Sequence, residues 1–292
     1  MNKQFRADMS LALVTLFWGA SYLLLDIALT EVEPFTLNFL RFFGAFIVLT
    51  AVFFPKLKKV NKTTLAYSAL IGLMLVFVHI GSTFGVMYTS LSNAGFLCSL
   101  TCVFTPVFGF IFKKQIPDRK FIIVAFMCFV GIALLSLDEN LKVASGDIIC
   151  LLCAVSYAAD LLVTETAVSK EEIDVFQLGV LQLGFTGIFC LIAAFIFETP
   201  SLPSSPKAWG AVVFLAIFCT GIAFMIQTVA QQYTSASRVG IIFTLEPVFS
   251  AIVAYFFAGE RLIPRAYAGA GLLLLSLLIM EIDLRQIAKK LF

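Results

Sequence analysis

Charge is what this chain has least of. Asp, Glu, Lys and Arg make up 13% of its 292 residues, about half the ~25% usual in a soluble domain. Apolar residues reach 61% and mean hydropathy is +1.01, which excludes a soluble globular chain and points to a polytopic membrane protein. The net charge of +2 says nothing about nucleic acid, and no nucleic-acid partner is expected. Catalytic signatures are missing too. No GxxxxGK[ST] run occurs, so ATP is not the direct energy source, and there is no HExxH and no GxSxG serine. There is one histidine, His79. All seven cysteines, Cys98, Cys102, Cys128, Cys150, Cys153, Cys190 and Cys219, lie inside apolar runs and cannot build an exported disulfide framework. Cys98/Cys102 and Cys150/Cys153 have no His or carboxylate at matched spacing, so they read as packing residues. No metal and no cofactor is expected.

What is present is long apolar segments. Cutting at charge and Pro/Gly clusters leaves ten stretches, at 9–29, 35–54, 65–87, 92–112, 120–137, 147–165, 175–197, 208–230, 236–258 and 265–284. Each is close to the roughly 17–25 residues a helix needs to cross a bilayer, and the short connections leave no room for a soluble domain. The first stretch is too long for a signal-peptide core and runs straight into the second, so it reads as mature structure.

Lys and Arg set the orientation. With the N-terminus inside, fifteen fall in cytoplasmic segments and four (Lys142, Lys207, Arg261, Arg265) in outer loops, with Arg41 alone inside a span. Both termini are therefore expected on the cytoplasmic side of the cell (inner) membrane.

The chain also repeats itself. Tyr88-Thr89-Ser90-Leu91-Ser92-Asn93-Ala94-Gly95 recurs 145 residues later as Tyr233-Thr234-Ser235-Ala236-Ser237-Arg238-Val239-Gly240. Each copy joins the third and fourth spans of a five-span half, and each is followed by a proline-containing span and a corner ending in Ile-Pro. Five is odd, so the second half enters the membrane from the opposite side, the inverted ground plan of many secondary transporters. The expected architecture is all-α, ten transmembrane helices in two inverted five-helix repeats, 1–140 and 141–292, with the boundary near Asp138–Gly146. The prolines do not superpose. At constant offset Pro247 matches Cys102 and Glu246 matches Thr101, while Pro106 lies one turn further on.

FWG at Phe17–Gly19, LRF at Leu40–Phe42, YTSLSNAGF at Tyr88–Phe96 and LEP…GERL from Leu245 to Leu262 together resemble the drug/metabolite transporter superfamily, EamA-type branch, over essentially the whole chain. The resemblance implies ten helices, a central cavity between halves, and export or exchange of small metabolites by alternating access. It implies no substrate. Two positions depart from the pattern. The first half carries Thr105-Pro106 in place of a Glu-Pro pair. Asp26 stands where many relatives carry lysine, which leaves a substrate carboxylate without that partner.

Candidate site residues follow from helical spacing. Glu246 sits mid-span beside Pro247 and shares a face with Val239, Ile242, Phe243 and Ser250. A mid-bilayer carboxylate costs about 2.5–3.5 kcal/mol on insertion scales, and marks a functional site by default. It could titrate protons or bind a substrate amine; the alternative is a helix-packing acid. The proline frees the Phe243 carbonyl. Asp160 is the second mid-span acid, on a face with Cys153, Tyr157 and Thr164; it must be neutral or find a cation, or be a buried acid satisfied by hydroxyls. His79, with Val76, Ser82 and Thr83, could bind an anion or relay protons, or serve as a structural hydrogen-bonder. Asp26 and Arg41 are expected to pair as a structural or outer-gate ion pair. Trp18, Ser21, Tyr22 and Leu25 would line a cavity wall, faced by Thr220, Phe224, Gln227 and Gln231. Asn93 belongs to the repeated turn. Gly81/Gly85 and Ala266–Gly271 are surfaces for close helix contact, and the last span could mediate dimerisation.

The expected function is a secondary transporter of a small amino acid-like, amine or drug-like metabolite, not an enzyme, with protons as a candidate coupling ion through Glu246 or Asp160. The lean is towards cationic or zwitterionic solutes. The competing readings are a non-transporting receptor or scaffold, which near-absent loops and the repeat argue against, and an intramembrane aspartyl-type hydrolase, whose only mid-depth acid pair is Asp160 and Glu246.

Overall fold

Every apolar stretch of the sequence has a helical counterpart. The computed structural model describes residues 3–88, 97–114, 116–136, 145–253, 255–256 and 264–281, and among these there is no strand. In chain order the helices are α1 (Lys3–Leu29), α2 (Pro34–Phe53), α3 (Lys62–Tyr88), α4 (Thr101–Lys113), α5 (Arg119–Ser136), α6 (Ser145–Val168) and α7 (Val175–Phe197). They are followed by α8 (Pro206–Ala230), by α9, made of Ala236–Ile242, a 3-10 turn Phe243–Leu245 and Glu246–Val253, and by α10 (Pro264–Glu281). Six of the described helices are long and apolar enough to cross a membrane, and shorter apolar helices cover Leu97–Lys113 and Pro264–Met280. The expected repeat boundary (mostly), the first-half turn containing Asn93, and the GERL corner lie outside the described residues.

Local chemistry explains the ends. Pro34 and Pro206 occupy the first turns of α2 and α8, where no amide donor is needed. The Asp174 carboxylate accepts from the Phe176 and Gln177 amides to start α7, and Ser205 and Ser235 hydroxyls accept at the starts of α8 and α9. Lys114 adopts φ 52° and ends α4. In α9 the missing amide of Pro247 does free the Phe243 carbonyl. The 3-10 turn re-satisfies it, with the Glu246 amide donating to Phe243 O.

Polarity is reversed relative to a soluble bundle. Ile47, Val52, Phe126, Phe195 and Leu278 are exposed, while Asn38, Arg41, His79, Asp160, Gln182 and Gln227 are buried. Lipid outside and polar groups inside satisfy both.

Packing partners recur when the first five helices are exchanged for the last five. α3 lies on α6 as α8 lies on α1; α3 touches α7 as α8 touches α2; α4 touches α6 as α9 touches α1. The pairs α2–α7, α4–α9 and α5–α10 map onto themselves. Glycines allow the closest approaches. A Cβ added at Gly81 of α3 would lie 2.5 Å from the Cys153 amide nitrogen of α6, and Gly85 sits one turn on against Cys150. On α1, a Cβ at Gly19 would lie 2.7 Å from Ser250 N of α9. α10 packs on α5, with Gly131 facing Gly269 O, and exposes Tyr267, Leu274 and Leu278.

Candidate functional site

The helices that meet at the centre enclose a cavity of about 90 Å³, well below the ~300 Å³ at which pockets for drug-sized ligands begin. Trp18, Ser21 and Leu25 of α1 line one wall, at the i, i+3, i+7 spacing that puts side chains on one face. Arg41 of α2, Val78, His79 and Ser82 of α3, Thr101 of α4, Cys153 and Tyr157 of α6, Phe224 of α8, and Gly240, Phe243 and Glu246 of α9 complete it, with Cys98 and Ser99 just before α4.

Aromatic rings form the body of the wall. Trp18 meets Phe243 edge-on at 4.8 Å between centroids, Phe224 at 5.6 Å and Tyr157 at 6.0 Å, and Tyr157 stacks on Phe243 at 5.8 Å. Phe42 meets His79 edge-on at 4.6 Å. His79 and Phe224, 145 residues apart, face each other at 6.0 Å. Thr101 and Glu246, separated by the same 145 residues, both line the cavity.

Two of these side chains are fixed by an irregular piece of α8. Leu215–Ile222 is wound as a π-helix, a geometry that recurs at functional sites because it disturbs the i→i−4 ladder. Here the Cys219 carbonyl accepts from Trp18 Nε1 at 2.9 Å, and the Thr220 hydroxyl accepts from Arg41 Nε at 2.9 Å. His79 Nδ1 lies 2.8 Å from the Leu75 carbonyl, leaving the other side of the ring for the cavity.

Behind Tyr157 runs a polar ladder. The Tyr157 hydroxyl donates to Gln227 Oε1 at 2.8 Å, and Gln231 Nε2 donates to the Leu161 carbonyl at 2.9 Å. Asp160 lies against Gln227, with Oδ1 lacking a hydrogen-bond partner.

Of the expected site residues, Glu246, His79, Trp18, Tyr157, Ser82 and Phe243 come together in the cavity. Asp160 and Gln227 do not line it; they stand one layer behind, because their places on α6 and α8 face the seam between those helices. The Asp26–Arg41 ion pair is not formed. Asp26 is exposed, whereas Arg41 is 3% exposed and turned into the cavity. Their helical faces diverge, one outward and one inward. Among the described residues the ion pairs are Lys113–Glu165 and Arg238–Asp8. The Tyr22 side chain and Asn93 lie outside the described residues. Pro106 is inside α4 and Pro247 follows the 3-10 turn of α9.

Those two ion pairs cluster on the side where α1 begins. Glu165 near the end of α6 holds Lys113 at the end of α4 and accepts from the Ala236 amide at the start of α9. Arg238 of α9 holds Asp8 of α1 at 2.8 Å, and Lys3 lies 5.6 Å from the Tyr233 ring. The cavity reaches the other way, towards Ser82 in the second half of α3 and Ser99 just before α4.

A bundle of apolar-surfaced helices around a small polar-and-aromatic cavity defines an integral membrane protein. The model of the EamA-like transporter family matches the chain twice, over residues 5–137 and 144–282. The chain belongs to that family, within the drug/metabolite transporter superfamily, and is a membrane transporter. It is 30% identical over 283 residues to an Archaeoglobus fulgidus protein called "Uncharacterized transporter", covering 96% of this chain and 87% of that one. It is 20% identical to the Bacillus subtilis "Uncharacterized transporter YoaV", covering 88% and 90%. A solved crystal structure superposes with TM-score 0.79 at 17% identity, over 97% of this chain and 98% of the other, a likeness of fold.

Proposed function

We propose that the protein is a secondary transporter that exports or exchanges a small metabolite across the cytoplasmic membrane by alternating access, with both termini cytoplasmic. The observation that carries this is the cavity itself: one enclosure lined by residues of both halves and closed by ion pairs on the side where α1 begins. Two inverted repeats, 1–140 and 141–292, account for the exchanged packing partners and for the double match of the family model. In that arrangement, breaking the Glu165 and Asp8 contacts and forming equivalent ones on the far side converts one access state into the other.

Glu246 is the coupling acid in this reading. Among the described residues it is the carboxylate that reaches the cavity, on a helix already interrupted at Phe243–Leu245. Binding a proton or a substrate ammonium neutralises it, and a neutralised cavity moves through lipid depth at lower cost. Asp160, behind Tyr157 and against Gln227, is a second proton site beside this one. The protein acts as a monomer or as a homodimer through α10.

The test is solute flux in proteoliposomes with and without an imposed pH gradient. Wild type moves a small metabolite in both conditions. Glu246→Gln abolishes gradient-driven uptake while exchange at equal pH on both sides survives. Loss of both activities in well-folded protein would contradict the coupling role, and no flux of any metabolite through the wild type would contradict transport.

A further inference from the structure

Among the described residues no carboxylate lies within ion-pair distance of Arg41. Arg41 is 3% exposed, lines the cavity, and donates through Nε to Thr220. Among the described residues the ion pairs take Lys113 and Arg238 and none takes Arg41. Its guanidinium carbon lies 5.4 Å from the Phe42 ring, and Cys190, Cys219 and His79 are near enough to interact with it electrostatically. Removing a guanidinium from water costs several kcal/mol unless an anion compensates it. Thr220 fixes the fork through one nitrogen, and the fork of a guanidinium matches the two oxygens of a carboxylate.

Resting on the transport reading above, we propose that Arg41 is the anion subsite of the transporter and that its substrate is a small solute bearing a carboxylate. That carboxylate docks on Arg41 and the solute's apolar part packs against Trp18, Phe224 and Phe243. Glu246 lies in the same enclosure, so a zwitterion would place its ammonium there, with the aromatic rings adding cation–π attraction.

The test uses purified full-length protein in liposomes loaded with an equimolar mixture. It contains L-amino acids, their amides, the amines and the des-amino acids of the same carbon skeletons, nucleobases and sugar alcohols. Efflux is read by mass spectrometry after subtraction of protein-free liposomes. The solutes that leave carry a carboxylate, and the matched amides and amines are slower by about tenfold or more, as expected for losing a charge-assisted pair. Arg41→Gln lowers the carboxylate flux by a similar factor and Arg41→Lys retains part of it. If only the amino acids leave, the subsite serves a zwitterion; if the des-amino acids leave equally, it serves a monocarboxylate. Both results support the proposal. Amides moving as fast as acids, flux confined to nucleobases or sugar alcohols, or carboxylate flux unchanged in Arg41→Gln would overturn it while leaving transport standing. Absence of all flux through wild type would overturn transport as well. Should Arg41→Gln fail to fold, the acid-against-amide comparison on the wild type decides alone.

Discussion

Gly81 has no side chain, and its surroundings require that. A Cβ there would lie 2.5 Å from the Cys153 amide nitrogen and 2.7 Å from its Cα, and backbone of an adjoining helix cannot move aside as a side chain tip can. Gly81→Ala is therefore expected to push α3 off α6 and to destabilise the protein by about 1–3 kcal/mol, the range for overpacking. Gly210→Ala, where nothing lies within 4 Å, is the matched control and should leave the melting curve of the detergent-solubilised protein in place. This close contact was legible in the small-residue spacing Gly81/Gly85, and the Trp18–Ser21–Leu25 wall was legible in the same way. Arg41 was not. Depth along neighbouring helices suggested Asp26 as its partner, but depth carries no azimuth. The pattern of α2 holds the missing information: Asn38, Arg41, Phe42, Ala45 and Leu49 are buried, and Ile47, Val48 and Val52 are exposed. A 3.6-residue period drawn through those positions turns Arg41 inward.

At the scale of elements, the break in α9 could be inferred from Pro247, because a residue without an amide must leave a carbonyl open. The π-helical stretch Leu215–Ile222 could not, since LAIFCTGI contains no residue that demands it. It arises from what α8 must meet, the indole of Trp18 and the guanidinium of Arg41. The connections on the far side are also specific. Glu198 accepts from the Phe35 and Thr36 amides that start α2, at 2.6 and 2.8 Å, and Glu31 accepts from the Ser204 and Ser205 amides that precede α8, at 2.8 and 3.0 Å. Hydrogen bonds from Ser205, and then from Ser204, hold the Glu31 carboxyl down at about 2, against an ordinary value of 4.5. A carboxylate depressed in this way stabilises the fold fully above pH 4.5, and that contribution is lost as pH falls through its folded value. The melting temperatures of wild type and Glu31→Gln should therefore differ by a constant amount above pH 5, and the difference should shrink as pH is lowered towards 2. A difference that grows on acidification would contradict this contact.

At the scale of the whole molecule, the all-helical membrane architecture was legible because lipid leaves few options: apolar length reports each helix almost directly. Which side carries the ion pairs was not legible, because it depends on contacts 52, 71 and 230 residues apart, Lys113–Glu165, Glu165–Ala236 and Asp8–Arg238. Lys113–Glu165 is partly exposed, whereas Asp8 is buried against Arg238; an exposed pair contributes about 0.2–1 kcal/mol. A latch of that size would hold one state without locking it, as the proposed change of access requires. Removing about 1 kcal/mol of it shifts a two-state equilibrium by about fivefold.

Accessibility of the cavity from each face of the membrane tests the central claim most directly. Ser82 lines the cavity, and Ser82→Cys in a background whose seven cysteines are replaced places a single thiol there. The measurement is its labelling by a membrane-impermeant thiol reagent in right-side-out and inside-out vesicles. The account predicts labelling mainly from the side opposite the N-terminus, a slower component from the N-terminal side, and about a fivefold gain in that component when Glu165→Gln is added. Labelling from one side only, unchanged by Glu165→Gln, would contradict alternating access through this cavity.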